Sequence, residues 1–95
     1  VNVEFEWDPA KAQANMRKHR VPFPMACEVF KDNGRLERPE ISHDYGEERW
    51  IAIGRVERAI LFVVFTQRGE RIRLISARRA TQNEQRNYWT GNLSA

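Results

Sequence analysis

Hydrophobic and polar positions alternate with a period of two at the start of the chain and switch to helical spacing soon after. Val3, Phe5 and Trp7 alternate with Asn2, Glu4 and Glu6, which predicts a first strand with one buried face. Asp8-Pro9 ends it: Asp as N-cap and Pro at the first helical position predict a helix to about His19, where Val21-Pro22 forbids a smooth continuation. Phe23, Ala26, Cys27 and Phe30 fall at i, i+3, i+4 and i+7, so a second, short helix begins near Phe23 or Pro24 and Cys27 reads as a small core residue rather than a nucleophile. Asp32-Asn33-Gly34 is a turn, Arg35 to Arg38 a short, weak strand before Pro39, and residues 40–47 an exposed loop centred on Ser42-His43-Asp44-Tyr45-Gly46.

Three strong strand signals follow: Arg49 to Arg55, Ile60 to Thr66 and Arg71 to Ala77. The connections Val56-Glu57-Arg58-Ala59 and Gln67-Arg68-Gly69-Glu70 are too short for crossovers, so the strands form an antiparallel meander with the apolar middle strand at its centre. In the last strand Arg71, Arg73, Ile75 and Ala77 are expected on one side, and Ile72, Leu74 and Ser76 on the other. Thr81 and Glu84 stand as N-cap and N3 of a capping box that opens a final helix. Its apolar content is thin, chiefly Tyr88, Trp89 and Leu93, which fits a loosely docked helix or one that meets a partner. The fold class is therefore α+β, in a single domain over residues 1–95: an N-terminal strand, two helices, an antiparallel sheet and a C-terminal helix.

Charge changes the picture. The net +3 divides unevenly: residues 1–48 hold seven Lys/Arg against ten Asp/Glu, and residues 49–95 hold nine against three. Every cation of the second half is arginine, the side chain that grips phosphate bidentately, so a phosphate-bearing ligand, RNA above all, outranks mere solubility. The single Cys27 excludes an intrachain disulfide and a Cys-based metal cluster, and points to the cytoplasm. The longest apolar run, Ala59 to Phe65, suits a buried strand, and the acidic opening is unlike a signal peptide. His19 and His43 lie far apart without a motif joining them to carboxylates, so no metal site or other cofactor is expected.

If the RNA that such arginines suit were also cut without a metal, the step would need a base for the 2′-hydroxyl, a stabiliser of phosphorane charge and an acid for the departing 5′-oxygen. Arg49, Arg78 and Arg79 are the leading phosphate binders; against this stands the reading that Arg78 or Arg79 pairs structurally with Glu47 or Glu84. Glu47 is either the general base or a salt-bridge partner orienting Arg49. His19 closes the first helix, where the dipole favours an imidazolium able to donate a proton, or else it is a capping group. Lys11, Asn15 and Lys18-His19 share one helix face, read as the wall of an RNA groove or as a solvated stripe. Arg71 and Arg73 extend the phosphate track or solvate the open sheet face. Trp7 and Trp50 belong to the core, whereas Trp89 is placed to stack on a base or meet a partner.

Several of these residues recur in a fixed order: Phe5-x-Trp7-Asp8-x-x-Lys11-x-x-x-Asn15-x-x-Lys18-His19, Val21-x-Phe23, Gly46-Glu47-x-Arg49, Gly54, Ile75-Ser76-Ala77-Arg78-x-Ala80 and Glu84-x-x-x-Tyr88. This order resembles the BrnT toxins of bacterial type II toxin–antitoxin modules across nearly the whole chain. The resemblance implies a RelE-like ribonuclease fold and RNA cleavage that shuts down translation. It also implies restraint by a BrnA-like antitoxin, a ribbon-helix-helix protein that itself binds operator DNA. One departure stands out: Arg20 occupies a position where the family most often has Gly, so the turn after the first helix is expected to be built differently here.

Overall fold

The computed structural model describes residues 3–40 and 47–91. Most of the loop expected over 40–47, and Leu93, lie outside the described residues. A five-stranded sheet runs in the order β1-β5-β4-β3-β2. Its strands are β1 (Glu4–Glu6), β2 (Leu36–Glu40), β3 (Arg49–Val56), β4 (Ala59–Arg68) and β5 (Arg71–Arg79). The helices are α1 (Pro9–His19), α2 (Phe23–Cys27), which continues as a 3₁₀ turn over Glu28–Lys31, and α3 (Gln82–Thr90). The α+β class and the central place of β4 are as the pattern predicts.

Both long hairpins turn on two residues, with the first at positive φ and the second not. Gly69 takes φ 60 between Arg68 and Arg71, while Glu57 takes φ 53 between Val56 and Ala59. A turn of this hand matches the twist of the flanking strands and prefers Gly in that first place, so Gly69 sits without strain and Glu57 does not. Gly54 has another reason: a Cβ there would lie 2.7 Å from Cγ1 of Val29, because the 3₁₀ turn presses directly on β3.

The sheet has two apolar faces. On one, α1 and α2 cover Ala52, Leu61, Val63, Phe65, Ile72, Leu74 and Ala77 with Val21, Phe23, Ala26 and Val29. On the other, Ile51, Ile53, Ile60, Phe62 and Ala80 form a smaller cluster under Tyr88 of α3. Phe5 and Trp7 pack against the larger core as expected, but Val3 is 49% exposed. Trp50 packs there too, and Cys27 is half-buried with its thiol pushed up to about 11, by burial first and then by the Glu28 charge. It stays protonated at neutral pH.

One pairing is new and three local expectations are corrected. β1 pairs parallel with β5, Glu4 opposite Arg71 and Glu6 opposite Arg73, at an edge the meander left unassigned. β2 includes Pro39 and reaches Glu40; as the terminal strand it leaves an outer edge where proline's missing N–H costs no ladder bond. Between Val64/Phe65 and β5 the register shifts, Val64 facing Ser76 and Phe65 facing Leu74, so Ile75 is an extra residue. This bulge reverses the alternation, and Ala77 joins Ile72 and Leu74 on the helix-covered face instead of Arg71 and Arg73. Finally, Arg20 adopts φ 60, ψ 28 and its N–H donates to Met16 O at 3.0 Å, the left-handed cap a glycine would form.

An arginine in that conformation carries about 1 kcal/mol of strain. Arg20→Gly is therefore expected to raise Tm by roughly 2–8 °C, the unfolded chain's greater freedom offsetting part of the gain. Calorimetry decides it, and a lower Tm for the variant would show that the Arg20 side chain contributes more than the strain removes.

Candidate active site on the open sheet face

Strand register assigns each arginine to a face. Ile53, Phe62 and Arg78 stand in one cross-strand row, and Gly54, Leu61 and Arg79 in the next. Arg78 thus projects on the face of Phe62, where its Cζ lies 3.9 Å from the ring centroid, while Arg79 projects on the face of the helices and lines a depression with Met25, Val56 and Ala59. The expectation that the strand stops at Ala77, leaving Arg78 and Arg79 to bind phosphate together with Arg49, is corrected: β5 continues through Arg79, and adjacent residues of a strand point to opposite sides.

The remaining rows describe the floor of the face opposite α1 and α2, which α3 covers in part through Tyr88. Arg38, Ile51, Val64 and Ser76 make the middle row. Beyond it, Glu40 faces Arg49 across the β2–β3 ladder, and Thr66 faces Arg73 across the β4–β5 ladder. Arg49 and Arg78 therefore share a face at opposite ends, with Cα atoms roughly 16 Å apart from strand spacing and rise. That separation is wider than one phosphate group could bridge. Arg38 belongs to this face and went unrecognised, although the alternation of Leu36, Arg38 and Glu40 carried the signal.

Acidic partners constrain most of these cations. Glu84 accepts from both terminal nitrogens of Arg78, at 2.8 and 2.9 Å, and also from the Thr81 N–H that closes the capping box. Burial raises the Glu84 carboxyl, but the Arg78 hydrogen bonds and the Thr81 amide outweigh it and hold it below its ordinary value. Glu47 stands 3.9 Å from Nε of Arg49 and 3.4 Å from Arg68, the geometry of an ion-pair partner. Glu6 meets Arg73 at 2.8 Å, and Glu4 meets Arg71 at 3.1 Å, each directly across the parallel ladder. Hydrogen bonding to Arg73 leads the causes that keep the Glu6 carboxyl low. Arg71 and Arg73 thus tie β1 to β5, a role their sequence spacing did not reveal because the parallel pairing was unseen.

On α1, Lys11 and Lys18 are exposed, whereas Asn15 is only 5% exposed. Its amide donates to Val21 O at 2.9 Å and Ala77 O at 2.8 Å and accepts from Ala77 N at 3.0 Å, so it is a buried structural group rather than part of a groove wall. His19 is half-buried, and its proton affinity is lowered, first by burial and then by the charges of Lys18 and Arg78. The helix dipole argues for an imidazolium; desolvation and two nearby cations win, and the neutral ring prevails at neutral pH. No group of three or more His, Cys, Asp or Glu suited to a metal occurs among the described residues.

A family model for the ribonuclease toxin BrnT of type II toxin–antitoxin systems matches residues 7–84. The chain belongs to the BrnT family. That match includes α1, the whole meander and the first turn of α3, hence every arginine of the open face, and it makes this a ribonuclease toxin family with an antitoxin as partner. No curated protein matches the chain. Nor, among the described residues, is any helix long and apolar enough to cross a membrane.

Proposed function

We propose that this BrnT-family protein is a cytoplasmic, metal-independent endoribonuclease that cuts RNA laid across the open sheet face. A cognate BrnA-like ribbon-helix-helix antitoxin, which alone contacts operator DNA, restrains it. The observation that supports this reading most is the placement of Arg49 and Arg78 on one face, with Val64 and Ser76 in the row between them and His19 near enough for the Arg78 charge to act on it. Neutral His19 takes the proton of a 2′-hydroxyl, the O2′–P bond forms, and guanidinium groups hold the charge that gathers on the phosphorane oxygens. The P–O5′ bond then breaks, and solvent supplies the proton the departing oxygen needs. Glu47 orients Arg49 as its ion-pair partner. Lys11 and Lys18 hold flanking backbone, and Arg71 and Arg73 join β1 to β5.

The test uses purified protein and an end-labelled RNA in chelator-containing buffer. Fragments ending in 2′,3′-cyclic phosphate are expected, and a single 2′-deoxy substitution at the cut site should abolish that cut. Tight binding that leaves the RNA whole would support a non-catalytic RNA- or DNA-binding module instead. No RNA affinity at all, with the basic face filled by antitoxin, would make it a docking surface. Inducing the chain alone should arrest growth and translation, and a co-expressed neighbouring ribbon-helix-helix protein should co-purify and relieve the arrest.

A further inference from the structure

We propose that Asn15 is a positioning residue that fixes the backbone carrying Arg78 to the backbone carrying His19, and so sets the spacing between the two groups. The inference rests on the ribonuclease reading, in which those two side chains act on the same phosphodiester.

Among the described residues β1 pairs with β5 only from Arg71 to Arg73, and beyond that point no described strand lies beside the outer edge of β5. Asn15 fills that place at Ala77. Its Oδ1 accepts from Ala77 N–H at 3.0 Å, and its Nδ2 donates to Ala77 O at 2.8 Å, a paired contact of the kind a neighbouring strand would make. The second Nδ2 hydrogen goes to Val21 O at 2.9 Å, so both amide donors are used inside the protein. One planar amide therefore joins three pieces of chain: its own helix turn, the segment just after His19-Arg20, and the β5 residue immediately before Arg78.

Each end of this bridge lies beside an irregularity of its element. His19 ends α1, and the next residue turns through a left-handed conformation at φ 60. Arg78 lies just beyond the bulge at Ile75, where the strand's alternation has shifted. The lowered proton affinity of His19, to which the Arg78 charge contributes, agrees with the closeness the bridge imposes. Edge pairing alone could be met by a longer β1; an amide from the helix that ends in His19 adds the link between the two groups.

Asn15→Ala is the test, with Val29→Ala, a core substitution under β3, as a stability-matched control away from the bridge. At a temperature where both variants are fully folded, Asn15→Ala should lower kcat about 100-fold with little change in KM, as a displacement near 1 Å of a reacting group does. Val29→Ala should keep kcat. In NMR, the His19 ring and Arg78 guanidinium resonances should shift together in Asn15→Ala only, with His19 titrating nearer its ordinary value. A folded Asn15→Ala protein with the wild-type kcat, or Val29→Ala losing as much, overturns the inference. Where Asn15→Ala does not fold, Asn15→Ser, which keeps a small neutral polar group and cannot span the three bonds, stands in its place. Wild-type protein that leaves RNA whole overturns the ribonuclease reading instead; unshifted His19 and Arg78 resonances in the variant then still overturn the bridge.

Discussion

Arg78→Ala should lower RNA cleavage about 10²–10³-fold, the usual consequence of removing one preorganised group that stabilises transition-state charge. Arg79→Ala should change it less than about threefold, because Arg79 lies on the helix-covered face. Arg78→Lys should not rescue: an ammonium cannot reproduce the flat fork that lies over Phe62 and spans both Glu84 oxygens. Arg78 also anchors α3 through Glu84, so loss of activity has two conceivable sources. Glu84→Gln separates them, since glutamine keeps the capping box with Thr81 while the charged pair is gone. If α3 docking were the whole role of Arg78, Glu84→Gln would lose as much cleavage as Arg78→Ala. Single-turnover cleavage of labelled RNA, with circular dichroism to confirm folding, gives the comparison. Folded Arg78→Ala that cleaves within a few-fold of wild type would remove Arg78 from the site.

The elements most legible in the chain are those fixed by local chemistry. Asp8-Pro9 opens α1, and the Asp8 side chain accepts from Ala10 N at 2.9 Å; Thr81 and Glu84 make both bonds of the capping box. The three long strands announce themselves by connections too short for a crossover and by an apolar centre, although each connection proves two residues shorter than the four the pattern suggested. What stayed hidden depends on partners distant in sequence. The Glu4–Arg71 and Glu6–Arg73 pairs exist only because β1 lies parallel to β5, which nothing within either segment dictates. Asn15 reads as polar and exposed until its three bonds to Val21 and Ala77 are seen, the latter 62 residues away. The candidate site suffered from one boundary: a strand stopped at Ala77 leaves Arg78 and Arg79 in a connection where both can face a ligand, whereas two more residues of β5 separate them. The bulge at Ile75 compounds the difficulty, since an extra residue without Gly or Pro leaves no mark in the alternation pattern.

Asp32→Ala should cost about 2–4 kcal/mol and lower Tm by roughly 10–20 °C, the largest stability effect expected of a partly exposed side chain here. Asp32 gathers three donors from three parts of the fold: Gly34 N–H at 2.8 Å, Arg55 N–H at 2.7 Å and the Tyr88 hydroxyl at 2.6 Å. The last is a second tether of α3 beside the Arg78–Glu84 pair, on a helix with no buried residue and with Trp89 63% exposed. Burial raises the Asp32 carboxyl, yet the hydroxyl, the two amides and the Arg35 charge outweigh it and leave it below its ordinary value. Because the folded value is the lower one, the contribution is complete above the unfolded pKa of about 4 and drains away as pH falls through the folded value. Tyr88 shows the opposite sign: burial first, then the Asp32 hydrogen bond, push its hydroxyl up to about 12. Its contribution is whole below the unfolded value of about 10 and is lost as pH rises through about 12. Urea denaturation across pH should therefore show wild-type stability falling at both extremes, the acid limb flattened in Asp32→Ala and the alkaline limb in Tyr88→Phe. Hydrogen exchange should show α3 opening first in both variants. Asp32→Ala within about 0.5 kcal/mol of wild type, the range of an ordinary surface substitution, would mean that the Tyr88–Asp32 hydrogen bond does not tether α3.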